Sequence, residues 1–304
     1  MQKVLKDKAV SIIGDKFDIV ASSIIGASHI RKNIVCQDAL LCSTTFFRGE
    51  EIVISIVSDG HGGSKYIYSD IGSELATEAV YNNLLEFAKW IIENRLNKRE
   101  INLYFKEKLI KSILIQWHKM VLEDYAKRDN NSNYSTYEII KFYGCTISFA
   151  LIVQENIYSG QIGDGAIYNY DYGVDVKIVL PNVESENLGL VTDSLCNENA
   201  IYKYQYSILP LKKRKKGVLL ISTDGLLDSL EDNIIEMLQD LYLKRNKFGL
   251  ETIRKLWPKM LRKWTEDGVG DDMGTILIFY GKSNQKKRVN YFHTKKIKRK
   301  RRGY

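Results

Sequence analysis

The chain has little of what would make it membrane-bound, disulfide-stapled or zinc-binding. No apolar run approaches the ~18 residues that a transmembrane helix needs. The opening stretch MQKVLKDKAVSIIGDK has no sustained apolar segment and no small-residue cleavage site, so no secretory signal is expected there. Cysteines number only four, Cys36, Cys42, Cys145 and Cys196, with no C-x-x-C pair and no histidine at zinc spacing. They are expected to be free thiols of a cytoplasmic protein. Prolines number three, and no linker or tandem repeat interrupts the chain before residue 282.

What is present is an ordinary globular composition: 304 residues, 44% hydrophobic and 27% charged. That is enough to bury a core in one large domain or two small ones. The net charge of +8 is unevenly placed, because residues 282–304 hold eleven Lys or Arg and no acid, leaving +8 − 11 = −3 on the rest. The expected organisation is a mildly acidic domain over 1–281 and a basic, disordered tail over 282–304. Such a tail either keeps the protein soluble or docks an acidic partner, nucleic acid or an anionic membrane.

Period-two and continuous apolar runs predict strands at FDIVASSIIG, ALLCSTTFF and EIVISIVSD. An apolar stripe from Ile71 through Leu84 to Ile91 predicts a helix, and Leu109, Ile113, Trp117 and Met120 predict a second over 100–125. The polar tract 128–138 reads as a loop, and a meander of three strands is expected at 144–173. Further strands are expected at VKIVL, IYKYQYSIL, GVLLISTD and MGTILIFYG, with helices at 231–245 and 249–266. Strands clustered around helices without β-α-β alternation argue for antiparallel sheets in an α+β body.

Three apolar strands end in Asp-Gly: Asp59-Gly60, Asp164-Gly165 and Asp224-Gly225. A fourth acidic group, Asp271-Asp272, precedes the last strand. One Asp-Gly alone is more simply a turn, since glycine accepts positive φ. Several together admit another reading, because strand ends can gather distant carboxylates at one rim, and hard divalent cations choose such oxygens.

The ordered set CQDA (36–39), VSDGHGG (57–63), YGCTISFALI (143–152), SGQIGDGAIY (159–168), LLISTDGLLD (219–228) and GDDMGTILI (270–278) resembles the metal-dependent Ser/Thr protein phosphatases of type 2C, in the style of a divergent bacterial branch. The resemblance spans residues 20–281. It implies a four-layer α/β/β/α sandwich with two central antiparallel sheets. It also implies a site for two Mn²⁺ or Mg²⁺ ions, with room for a third, where a metal-bridging water attacks phosphoserine or phosphothreonine in a protein substrate. By the same resemblance Asp59 bridges the metals, the Gly60 carbonyl ligates one, and Asp224 and Asp271 hold the other. Asp38 assists, Asp164 joins Asp224 at the third ion, and His61 protonates the leaving oxygen. The alternative for His61 is a hydrogen-bonded loop histidine.

One motif departs from the family pattern. Its usual phosphate-gripping arginine is here Asn33, and Gln37 replaces an acid before Asp38. Arg31 or His29 is the candidate replacement, although Arg31 reads equally as a surface charge. Loss of a bidentate arginine would weaken phosphate binding without removing the metal chemistry. An inactive, phosphoprotein-binding relative is therefore the second reading, and recruitment to a polyanion through the basic tail the third. The run LKKRKKG (211–217) reads as a solvated hairpin tip.

Overall fold

The computed structural model describes residues 2–94, 97–128, 133–174, 176–181, 192–211, 215–230 and 233–281. The basic tail and the middle of the 211–217 run lie outside the described residues.

Two six-stranded sheets face each other, and every strand pairing in them is antiparallel. The first holds β1 (Gln2–Val4), β4 (Ala39–Phe47), β5 (Glu50–Ser58), β6 (Ile147–Val153), β7 (Asn156–Ile162) and β10 (Gln205–Pro210), in the order β1-β4-β5-β6-β7-β10. The second holds β2 (Lys8–Ile13), β3 (Phe17–Ile24), β8 (Ala166–Asp171), β9 (Val176–Leu180), β11 (Gly217–Ser222) and β12 (Met273–Tyr280), in the order β2-β3-β12-β11-β8-β9.

The side chains explain the layering. Along β3, Phe17, Ile19 and Ala21 turn toward the other sheet, while Val20 and Ile24 turn toward helices. Both faces are apolar, as a strand covered on both sides requires. The central core joins Ile19, Leu40, Val57, Ile221 and Ile276 between the sheets. Helices α2 (Ser69–Glu93) and α4 (Leu109–Arg128) cover the first sheet around Phe87, Phe105 and Trp117. Helices α7 (Ile234–Phe248) and α8 (Leu250–Asp267) cover the second around Leu238, Trp257 and Leu261. The expected α/β/β/α sandwich is the observed one.

Several local expectations need correction. The strands at 144–173 are not one meander, because β7 ends in the first sheet and β8 starts in the second. The second helix breaks into Lys98–Leu103, a π-helical turn Tyr104–Lys108 and α4. Part of the polar loop is helical: Thr136–Phe142 is capped reciprocally by Ser135 and Glu138, a capping box that polarity alone conceals. Residues 200–203 form a 3-10 turn rather than the start of a strand. The strands β1 and β2 and the short helices α1 (Ala27–Lys32) and α6 (Asp224–Leu230) were not expected; the short helices Lys98–Leu103 and Thr136–Phe142 are α3 and α5.

Register delivers the site. Ile24 pairs with Met273, and Ser222 pairs with both Thr275 and Ala166. Ala39 pairs with Ser58 in the other sheet. The residues just past these positions, at 38, 59, 164, 224 and 271–272, therefore emerge at one rim. Helix α2 is held to that rim by Trp117, whose fully buried indole Nε1 donates to Gly72 O at 3.1 Å. Trp117→Ala should lower unfolding stability by about 3–5 kcal/mol, measured by urea denaturation. A loss below about 1 kcal/mol would mean that this layer does not depend on Trp117.

Candidate metal centre

The three Asp-Gly pairs fold in three different ways. After β5, Gly60 bridges to Cys145 instead of closing a hairpin, its N–H donating to Gln37 O at 3.2 Å. Asp59 is locked at both backbone ends by Thr146, whose N–H donates to Asp59 O at 2.8 Å and whose Oγ1 accepts from Asp59 N at 3.1 Å. Asp164 sits in the bend between β7 and β8, where Gln161 Nε2 donates to the carbonyls of Gly163 and Gly165. Asp224 opens the short helix Asp224–Leu230. Glycine is required at two of these places by close approach. A Cβ on Gly60 would meet Ser69 O at 2.6 Å, and one on Gly225 would meet Asp272 O at 2.1 Å.

Asp59, Asp164 and Asp224 converge, each offering an oxygen within 4.8 Å of the others. Asp38 is buried beside them. Its Oδ2 accepts from Thr223 Oγ1 at 2.8 Å, while its Oδ1 is buried without a hydrogen-bond partner. Asp164 Oδ2 accepts from Thr192 Oγ1 at 2.5 Å. No lysine or arginine among the described residues pairs with any of these four carboxylates.

The uncompensated charge shows in the acidities. Burial, then the neighbouring carboxylates Asp38, Asp224, Asp271 and Asp164, push the Asp59 carboxyl well above the usual range. Burial and Asp272 do the same to Asp38 against the Thr223 hydrogen bond. Asp224 is pushed up to about 7 by burial, Asp164 and Asp271. Burial lowers the His61 imidazole, with Asp164 pulling it partly back. His61 is half-buried, its backbone N–H donates to Gly144 O at 3.1 Å, and its ring centroid lies 4.9 Å from that of Tyr66.

Asp271 stands at the edge of this trio rather than inside it. A Cβ on Gly225 would lie 3.4 Å from Asp271 Cβ, so Asp271 abuts the start of the Asp224 helix. Its Oδ1 accepts from Asp272 N at 2.8 Å and lies 3.6 Å from His29 Nε2. Together with His29 and Asp272 it forms a second group of close ligand atoms. Asp272 itself is committed to the frame: it accepts from Gly26 N at 2.7 Å and Gln37 N at 2.6 Å. Burial works against its charge, but His29 and these two amides hold its carboxyl below the usual range.

The phosphate-binding candidates separate. His29 Nδ1 contacts Asp272 Oδ1 at 3.0 Å, without the alignment of a full hydrogen bond, and this carboxylate raises its pKa against burial. Asn33 stops the helix Ala27–Lys32 in the left-handed conformation, φ 56° and ψ 39°, which asparagine tolerates. Arg31 is exposed, and its guanidinium lies beside Gly270, one residue from Asp271.

Sequence reasoning missed Gln37 as a junction. Its Nε2 donates to His61 O at 3.1 Å and Ser69 Oγ at 2.7 Å, and its carbonyl accepts from Gly60 N and Ser73 Oγ. Thr223, Thr192 and Asp228 were also missed. Burial, Asp164 and Asp271 raise the Asp228 carboxyl above its usual value. Only Thr223 and Asp228 carried a signal, their place within LLISTDGLLD.

The residues suit a hard divalent cation: the donors are carboxylate oxygens, one buried oxygen is orphaned, and no side-chain cation among the described residues pairs with them. The model for protein phosphatase 2C matches residues 25–260. The chain belongs to the protein phosphatase 2C family. Solved structures agree on the fold. A serine-threonine phosphatase 2C from Toxoplasma gondii matches with a TM-score of 0.57 at 12% identity, covering 90% of this chain and 99% of that one. Stp1 from Staphylococcus aureus matches at 0.54 and 14%, covering 89% and 97%. RsbX in complex with magnesium matches at 0.51 and 13%, covering 90% and 99%. No curated protein matches by sequence.

Carboxylates gathered this closely without a counter-charge oppose folding once they ionise. Because the folded pKa of Asp224 is raised, the folded state binds its proton more tightly than the unfolded one, so stability falls as pH rises from about 4 to about 7. In EDTA, Asp224→Asn should melt higher than the parent, with a gap that widens over that interval. A gap independent of pH would show that Asp224 is not held in a repulsive cluster.

Proposed function

We propose that this phosphatase 2C chain is a Mn²⁺- or Mg²⁺-dependent phosphomonoesterase acting on phosphoserine or phosphothreonine in proteins. The convergence of Asp59, Asp164 and Asp224, with the orphaned Asp38 oxygen buried nearby, carries this reading. Asp59, the Gly60 carbonyl, Asp224 and Asp271 would hold two ions, with Asp38 alongside and Asp164 available to a third. Such ions supply Lewis acidity that lowers the pKa of water and offsets phosphate charge.

The chain's own residues do the rest. Thr146 and Gln37 fix the loop that carries Asp59, Gly60 and His61, so the carboxylate and imidazole keep their separation. Protonated His61, a form that burial disfavours and Asp164 favours, would hand its proton to the leaving serine or threonine oxygen. Arg31, exposed beside Gly270, would be the phosphate contact, while Asn33 serves the backbone. Residues 1–281 would be the catalytic unit and the tail an appendage, in a cytoplasmic protein.

The inactive, phosphoprotein-binding alternative draws on one observation: the Gln37 amide is occupied by His61 O and Ser69 Oγ, where the family pattern has an acid. Turnover decides between them. With Mn²⁺, purified protein should release phosphate from a phosphothreonine peptide, and should melt several degrees higher than in EDTA. Asp59→Asn should abolish both effects. Release that survives EDTA or Asp59→Asn would refute the metal-dependent reading, and a metal-induced shift without release would favour the binding reading.

His61→Ala should cut kcat on the phosphothreonine peptide about 10²–10⁴-fold. It should leave para-nitrophenyl phosphate, whose leaving group needs no proton, far less affected. Equal losses on both substrates would remove His61 from the acid role.

A further inference from the structure

Away from the metal centre, α8 and the edge strand β2 flank a shallow, open groove of about 520 Å³. Six cations line it: Lys8, Arg254, Lys255, Lys259, Arg262 and Lys263. Two acids, Asp7 and Glu266, share the lining, so its charge is +6 − 2 = +4 on a body that carries −3. Arg254 and Lys255 are paired with Glu251, and Arg262 with Asp7. Lys8, Lys259 and Lys263 form no ion pair among the described residues and are exposed.

Both walls of this groove run to the frame that carries Asp271 and Asp272, beside the metal centre. On the α8 side, Thr265 Oγ1 donates to Asp271 O at 2.8 Å and accepts from Ala27 N at 3.0 Å. On the β2 side, Asp7 Oδ1 accepts from Ile25 N at 3.0 Å, one residue before Gly26, whose N–H binds Asp272. Arg254 to Glu266 covers twelve helical steps, roughly 18 Å of axis. That length matches about five or six residues of extended chain.

We propose that this groove docks an acidic segment of about five or six residues belonging to the polypeptide whose phosphorylated residue enters the metal centre. Docking and phosphate engagement on one chain reinforce each other through effective concentration. The groove thereby selects phosphoproteins with a nearby run of Asp or Glu. The link to phosphate removal rests on the phosphatase reading above, while the docking step does not.

The test uses the full-length protein and a fluorescein-labelled phosphothreonine peptide extended by six Asp and Glu residues, with the unextended peptide as comparison. Lys255→Glu/Lys259→Glu/Lys263→Glu reverses the groove. Lys98→Glu/Lys111→Glu/Lys119→Glu makes the same net charge change on the opposite helical layer, and melting curves verify that both variants fold. By fluorescence anisotropy at physiological salt, the groove variant should bind the extended peptide about tenfold more weakly, and the control variant less than about twofold. In steady state the groove variant should raise KM for the extended peptide with kcat unchanged, and leave the unextended peptide unaffected. Equal losses in the two variants would reduce the effect to net charge and overturn the proposal, as would parental affinity in the groove variant. A single-stranded RNA oligomer that loses affinity in the groove variant while the acidic peptide does not would reassign the groove to nucleic acid. Groove-dependent binding without turnover in any variant would uphold the docking site and refute the phosphatase reading instead.

Discussion

Mutual repulsion among carboxylates at one rim of the sandwich is the constraint on which the rest of this structure depends. Asp59, Asp164 and Asp224 converge with Asp38 buried beside them, all from separate strand ends, and no lysine or arginine among the described residues pairs with them. Left in place, like charges in a partly desolvated site oppose folding. The repulsion is borne by the cross-sheet cores and the two helical layers, whose largest buried side chains include Trp117, Trp257 and Phe87. A divalent cation bound there would turn the same arrangement from a cost into a binding energy. The stability of the fold and the proposed chemistry would then be linked through one set of oxygens.

Holding charges near each other requires a frame that does not itself need them. Asp272 supplies it from beside the cluster, with its oxygens turned to Gly26 N, Gln37 N and His29. Gln37 extends the frame to the His61 loop and the N-terminal turn of α2 through neutral hydrogen bonds. A neutral amide at this junction adds no further negative charge to the rim, which gives its presence in place of an acid a physical meaning. The acid count at the rim is one lower than the family pattern suggests, and the loop is tied down by the amide.

Much of this was legible in the sequence because the strands are long and apolar on both faces. FDIVASSI, EIVISIVS and MGTILIFY announce a sheet covered on two sides, and the three Asp-Gly ends mark where chains leave it. What stayed hidden depended on tertiary pairing. Nothing local says that β7 and β8 belong to different sheets, since the bend at Asp164 is as short as a hairpin. Helix Thr136–Phe142 lies in a polar tract where only the Ser135–Glu138 pair betrays it. Asn33 reads as a lost arginine in the motif, but the backbone there is left-handed, and asparagine answers that need. The commitment of His29 to Asp272, across more than two hundred residues of sequence, has no sequence signal at all.

The central claim is that the rim binds divalent metal through Asp59 and its two converging partners. Crystals grown with Mn²⁺ and measured at its absorption edge test this most directly. The account predicts anomalous peaks in contact with oxygens of Asp59 and Asp224. Density confined to His29, Asp271 and Asp272, or no peak at the Asp59 carboxylate at saturating Mn²⁺, would contradict it.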